Sequence, residues 1–162
     1  MLRHPLARAH AAYAEFLRKE WMPELRPYLK RVHKFQLPPK GQGFDDPAEF
    51  RAGLLVFLDL IKHIAAGRTE LRMPAQFASQ FMTLQGFGQL QSPDHLLRED
   101  QVEMGLAFLM QDLGLDPPEL PAEPDTAQHP LAALYGPDLE AAARAAYPRD
   151  YEAFGFSDWT PL

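Results

Sequence analysis

Arg3 stands two residues before Pro5, and Arg8 follows one helical turn into the segment that Pro5 would open. Proline suits the first position of a helix, because the N–H it lacks would have no partner there. A helix start presents free N–H groups and a partial positive charge. A guanidinium at the same place adds a planar fork of donors. The combination suits a phosphate group, with Arg3 as the main contact and Arg8 as a second charge. The same residues also have an architectural reading, in which Arg3 pairs with a carboxylate and Arg8 is solvated.

Other chemistries lack their residues. No Gly-x-x-x-x-Gly-Lys-Ser/Thr loop and no Gly-x-Gly-x-x-Gly turn occurs. Lys40-Gly41-Gln42-Gly43 is followed by Asp45 and Asp46, which would repel a phosphate. Histidines stand at 4, 10, 33, 63, 95 and 129, and none forms a His-x-x-x-His or His-Glu-x-x-His pair. A metal site is therefore not expected. No Gly-x-Ser-x-Gly elbow is present. Cysteine is absent, which excludes disulfides, thiolate zinc and cysteine nucleophiles. Lys and Arg total 16 against 22 Asp and Glu, a formal charge of -6. A nucleic-acid backbone needs clustered positive charge, so nucleic acid is excluded as the main partner. No apolar run approaches the roughly 18 residues of a membrane span, and residues 1–8 lack a signal-peptide core. The expectation is a soluble, cytoplasmic protein.

These side chains must be positioned by helices. The 162 residues suit one domain over 1–162, and 16 prolines are about twice the usual frequency. Proline is excluded from helix interiors, so the pattern predicts many short elements with fixed joints. Pro5 to about Glu20 reads as a helix with Leu6, His10, Tyr13 and Leu17 on one stripe. In that stripe His10 reads as a hydrogen-bonded core residue rather than a base. Pro23 and Pro27 break the next stretch, and 38–43 is a loop. The clearest helix runs from Asp46, its cap, to about Ala66, with Phe50, Leu54, Phe57, Leu58 and Ile61 buried and Gly67 as the stop. Pro74 to about Thr83 reads as a shorter helix. His95–Arg98 reads as a short buried strand or an extended lead-in. A helix follows from Asp100, with Val102, Leu106, Leu109, Met110 and Leu113 facing inward and Gly114 at its end. Residues 117–130 form a proline-rich loop. The last helix starts near Pro137 and is split at Pro148. The fold class is mainly α, with at most one or two short strands.

Three segments together resemble PAPS-dependent sulfotransferases, which use 3'-phosphoadenosine 5'-phosphosulfate. Arg3-His4-Pro5-Leu6-Ala7-Arg8, with Ala11 and Tyr13 beyond, is similar to the family's 3'-phosphate-binding segment. Ala11 stands where the family has a serine. Asp94–Asp100 resembles the family's Arg-x-Glu segment, and Leu113-Gly114-Leu115 its helix exit. Tyr147-Pro148-Arg149-Asp150-Tyr151 to Phe154-Gly155-Phe156 resembles its closing Tyr-x-x-Asp-Tyr-x-x-Phe-Gly-Tyr. The nearest flavour is the bacterial type related to nodulation-factor sulfotransferases. The resemblance implies the C-terminal part of an α/β fold with a P-loop-like parallel sheet. It implies PAPS or its product PAP as co-substrate, a carbohydrate-like or other small hydroxyl acceptor, and sulfuryl transfer. Arg3, His4 and Arg8 would hold the nucleotide, with the 3'-phosphate at the helix start. The 5'-phosphosulfate loop that opens such enzymes is not in the sequence, and no catalytic base is assigned. Without that loop a second reading stands: a non-catalytic helical remnant or interaction module, with an exposed apolar side that a homodimer would cover.

Arg98 and Glu99 also have an architectural reading. Neighbours in an extended segment point to opposite faces. Arg98 is then expected against a helix C-terminus or a carboxylate, and Tyr147, Tyr151, Phe154, Phe156 and Trp159 as packing surface.

Overall fold

A computed structural model of the chain describes residues 1–19, 22–116, 120 and 128–161. Prolines open four of its helices: α1 (Pro5–Lys19), α3 (Pro47–Ala65), α7 (Pro137–Ala146) and α8 (Pro148–Phe154). Between α1 and α3 lie α2 (Leu25–Tyr28) and a π-helical turn (Leu29–His33). Then come α4 (Gln80–Gly88), a 3-10 turn (Glu99–Gln101) that runs into α5 (Val102–Leu113), and α6 (Leu131–Leu134). Helix α3 packs against α7 and α1, and these three carry the core.

The α1 stripe of Leu6, His10, Tyr13 and Leu17 is buried, as its spacing predicts. Phe50, Leu54, Phe57, Leu58 and Ile61 of α3 are buried against it. Fully burying each such side chain contributes about 1.5–3 kcal/mol. The rings interlock: Tyr13 lies 5.1 Å from both Phe50 and Phe57, and Phe57 lies 4.4 Å from Phe77. The Asp46 side chain accepts from the Ala48 N–H, and Gly67 ends α3 in the left-handed region at φ 65°. Pro148 divides the last helical stretch at Tyr147, as expected.

The chain is mainly helical. Among the described residues, pairing between extended segments is a single parallel bridge, Leu2 to Arg98. The Leu2 N–H donates to the Leu97 carbonyl and the Glu99 N–H to the Leu2 carbonyl, both at 2.7 Å. Among the described residues no helix is long and apolar enough to cross a membrane.

Two expectations need correction, and a third, which left two readings open, is settled. The helix expected from Pro74 begins at Gln80, because Ser79 caps it and 74–78 folds as turns. Of the two readings of 95–98 the extended lead-in forms and the buried strand does not: the segment is half-buried or exposed, with only Leu97 to Glu99 bridged to Leu2. The apolar face of α5 is covered only in part: Val102, Leu106, Leu109 and Met110 are half-buried, none is fully buried, and Leu113 is exposed. The helix packs on the 3-10 turn before it and on Leu97. Most of the proline-rich loop expected over 117–130 lies outside the described residues. His129 at its end is buried, and its Nε2 bonds the Phe44 carbonyl at 2.7 Å.

Candidate functional site

The three segments that carry the resemblance lie far apart in sequence, and their side chains meet at the start of α1. Arg3 is the node. Its Nε donates to Glu99 at 3.0 Å, at the opening of the 3-10 turn. Its backbone N–H donates to the Gln80 side-chain oxygen at 2.9 Å, and its carbonyl accepts from the Gln80 side-chain nitrogen at 2.8 Å. One residue therefore ties the starts of α4 and α5 to the start of α1. The Arg3 side chain remains 39% exposed.

His4 caps α1. Its Nδ1 accepts from the Leu6 N–H at 3.2 Å, so its Nε2 carries the proton and donates to the Ser157 carbonyl at 3.1 Å. The ring sits edge-on to Tyr151 and Phe156, each 5.4 Å away. Burial lowers its pKa, and Arg144 and Arg98 add to that; the Ser157 bond and the Glu140 carboxylate oppose it. Both ring nitrogens are thus engaged inside the protein. Arg8 donates from its guanidinium to the carbonyls of Ala78 and Ala75, just ahead of α4.

Protonating His4 would remove the acceptor that caps α1, which yields a signed expectation. The unfolded chain protonates at the ordinary value of 6.5, and the folded chain below it. Between the two the unfolded state binds more protons, so stability rises with pH there. The contribution is fully present above 6.5 and is lost as pH falls toward the folded value. Urea midpoints at pH 7.5 and 5.5 should differ less in His4→Asn than in the parent, since Asn caps without titrating. An unchanged difference would assign the pH dependence to other groups.

Arg98 fulfils both of its architectural expectations. Its guanidinium grips Asp100 through two bonds of 3.0 and 2.6 Å and donates to the carbonyls of Phe154 and Gly155, the C-terminal end of α8. It also lies 4.5 Å over the Phe156 ring. Hydrogen bonding to Arg98 holds the Asp100 carboxyl below its ordinary pKa.

Behind this layer are two buried carboxylates: Asp150, which the sequence offered only as part of the closing segment, and Glu140, which it did not single out. Asp150 is fully buried and accepts from the Ser79 hydroxyl, the Gln80 N–H at 3.0 Å and the Phe81 N–H at 2.8 Å. It caps α4 from another helix, a place where negative charge also meets the helix dipole. Glu140 accepts from the Tyr151 hydroxyl at 2.8 Å and the Trp159 N–H at 3.1 Å. Burial, followed by Glu140, pushes the Tyr151 phenol far above its ordinary pKa. A capping Ser at 79 and an acidic residue at N3 of α8 were visible signals. The pairing between them, and the Gln80 amide on the Arg3 backbone, leave no mark in sequence.

His10 lies in the core, and its Nε2 bonds the His129 carbonyl at 2.8 Å. Among the described residues no group of three His, Cys, Asp or Glu stands where it could hold a metal ion. No protein-family model, no curated protein and no solved structure matches the chain.

Proposed function

We propose that the chain is the nucleotide 3'-phosphate half of a PAPS-dependent sulfotransferase. The observation that carries the reading is convergence. The Arg3–Arg8, Asp94–Asp100 and Tyr147–Phe156 segments each resemble the family weakly, and they pack onto one another through Arg3–Glu99, His4–Tyr151 and Arg98–Phe156. The parallel bridge between Leu2 and Arg98 fits the edge of a parallel sheet.

In this reading Arg3 meets the 3'-phosphate. Its partial exposure gives a dianion access, and Glu99 is the carboxylate with which the phosphate competes. Arg8 supplies the second charge from α1. His4, with both ring nitrogens engaged, holds the helix start in place instead of touching the nucleotide. The nucleotide supplies the sulfuryl group, which passes to a hydroxyl of a carbohydrate-like or other small acceptor.

Calorimetric titration with 3'-phosphoadenosine 5'-phosphate tests the site, with AMP as the control lacking the 3'-phosphate. Micromolar binding that AMP does not match supports the reading. Arg3→Ala should weaken it more than tenfold, since a charged hydrogen bond contributes about 1.5–3 kcal/mol. Glu99→Gln, which removes the competing carboxylate, should tighten it. No binding at millimolar nucleotide, or an Arg3→Ala variant with parental affinity, overturns the assignment. A second reading, the non-catalytic interaction module, is favoured by one observation: α5 is an apolar helix with no buried residue.

A further inference from the structure

A cavity of about 530 Å³ opens between α2 with its following turn and residues 70–72. It shares no residue with the Arg3 node, and its volume is that of a small-molecule site. Pro27, Leu71 and the half-buried Tyr28 form its apolar wall. The wall is firmly held. Leu25 and Leu29 are fully buried, and Arg26 donates to the carbonyls of Leu37 and Pro38 at 3.1 and 2.6 Å. The π-helical turn Leu29–His33 is closed by the Phe35 N–H on the Leu29 carbonyl at 3.2 Å, and it exits through Lys34 at φ 53°. Among the described residues Lys34 is the one non-glycine residue in the left-handed region. Turns of the π type are rare and recur at functional sites, and backbone held in a sparsely populated region clusters at ligand sites. Here the turn sets the Arg31 guanidinium 5.8 Å over the Tyr28 ring and against the Glu70 carboxylate.

Charge selects the ligand class. The lining sets Arg31 and Arg72 against Glu24 and Glu70, so a ligand of one sign is attracted by two groups and repelled by two. Arg31 and Glu70 already satisfy each other. Arg72 and Glu24 are exposed, and neither has an ion pair or a side-chain hydrogen bond with another described residue. One cation and one anion are thus left beside an apolar wall. We propose that the cavity binds a small zwitterion with an apolar body, the chemistry of a free amino acid or a short peptide. Its carboxylate would meet Arg72, its ammonium Glu24, and its apolar side chain Tyr28, Pro27 and Leu71. A nucleotide fits poorly, because its phosphates would face Glu24 and Glu70. The inference does not rest on the nucleotide reading and its probes carry no phosphate, so each proposal can fail alone.

Calorimetric titration of the full chain with phenylalanine and with phenylalanyl-alanine tests the site. The first stands for the free amino acid and the second for the short peptide, and the tighter of the two identifies the source. Phenethylamine, which lacks the carboxylate, and 3-phenylpropionate, which lacks the ammonium, are the controls. At least one zwitterion should bind about tenfold tighter than both controls. Arg72→Gln should erase its advantage over phenethylamine, and Glu24→Gln its advantage over 3-phenylpropionate. Both side chains are exposed, so circular dichroism should not change in either variant. No zwitterion binding at millimolar concentration, zwitterions and controls binding alike, or an advantage that survives either substitution overturns the proposal.

Discussion

Asp150→Ala should lower stability by about 3 kcal/mol, among the largest single losses this fold can suffer. The carboxylate is fully buried and accepts from one hydroxyl and two backbone N–H groups at the start of α4. Hydrogen bonds to a charged group contribute about 1.5–3 kcal/mol, and each buried donor left without a partner costs about 1–3 kcal/mol. The charge's own desolvation offsets part of the sum, which is why the expected loss is nearer one bond than three. Asp150→Asn keeps the shape and one acceptor oxygen, so it should cost less than the alanine change. Urea denaturation with an unchanged m value reads the loss. Hydrogen exchange should place it first at Gln80 and Phe81. An alanine variant within about 0.5 kcal/mol of the parent would mean that Ser79 alone caps α4.

Gly53→Ala should destabilise the protein although it removes a glycine from the interior of α3. On an open helix face the change would stabilise by about 1 kcal/mol. Here the new methyl would lie 2.1 Å from the Tyr13 hydroxyl oxygen and 3.0 Å from Phe35 Cζ. Tyr13 is fully buried between Phe50 and Phe57, so its ring has no room to retreat. Overpacking of this kind costs about 1–3 kcal/mol, and a 2.1 Å approach lies at its upper end, so after the helix gain the net loss should be about 1–2 kcal/mol. The Tyr13 hydroxyl is also buried without a hydrogen-bond partner among the described residues, and burial drives its pKa far up. Tyr13→Phe should therefore be neutral or stabilising by about 1 kcal/mol. It also removes the atom that clashes. The double variant should recover at least about 1 kcal/mol of the Gly53→Ala loss, a coupling a double-mutant cycle measures directly. Strict additivity would mean that the two residues do not meet.

Much of the architecture was legible because local rules acted without opposition. Proline at the first helical turn and the caps at Asp46, Gly67 and Gly114 set element boundaries wherever the backbone alone decides them. The periodic stripes of α1 and α3 found the core, because both helices are covered by neighbours. The same periodicity found the covered side of α5 but overstated its burial, since that side is only half-buried and Leu113 is exposed. Val102, Leu106, Leu109, Met110 and Leu113 have the spacing of a buried face, but spacing reports a demand for cover and not whether this chain supplies it. The start of α4 moved from Pro74 to Gln80 because Ser79 and Asp150 together satisfy its first N–H groups, and that pairing spans 71 residues. Arg3 and Arg8 were recognisable as a cationic helix start, and Arg98 as a residue needing a helix end or a carboxylate. Their actual partners, Glu99 and Gln80 for Arg3 and the Ala75 and Ala78 carbonyls for Arg8, depend on packing that no short motif encodes.

The bond from His4 Nε2 to the Ser157 carbonyl spans 153 residues, and Leu2 pairs with residues 97 and 99. During synthesis α1 emerges first and must wait for nearly everything else before its N-terminal end is closed. The entropy of so long a loop rises only logarithmically, so closure is affordable at equilibrium but slow to find. A nascent chain released from the ribosome only as far as α7 would hold Arg3 with Gln80 and Glu99, and would lack the Asp150 cap of α4 and the Ser157 carbonyl that holds the His4 ring. The Asp150–Ser157 side of the site is therefore the last part to be supplied.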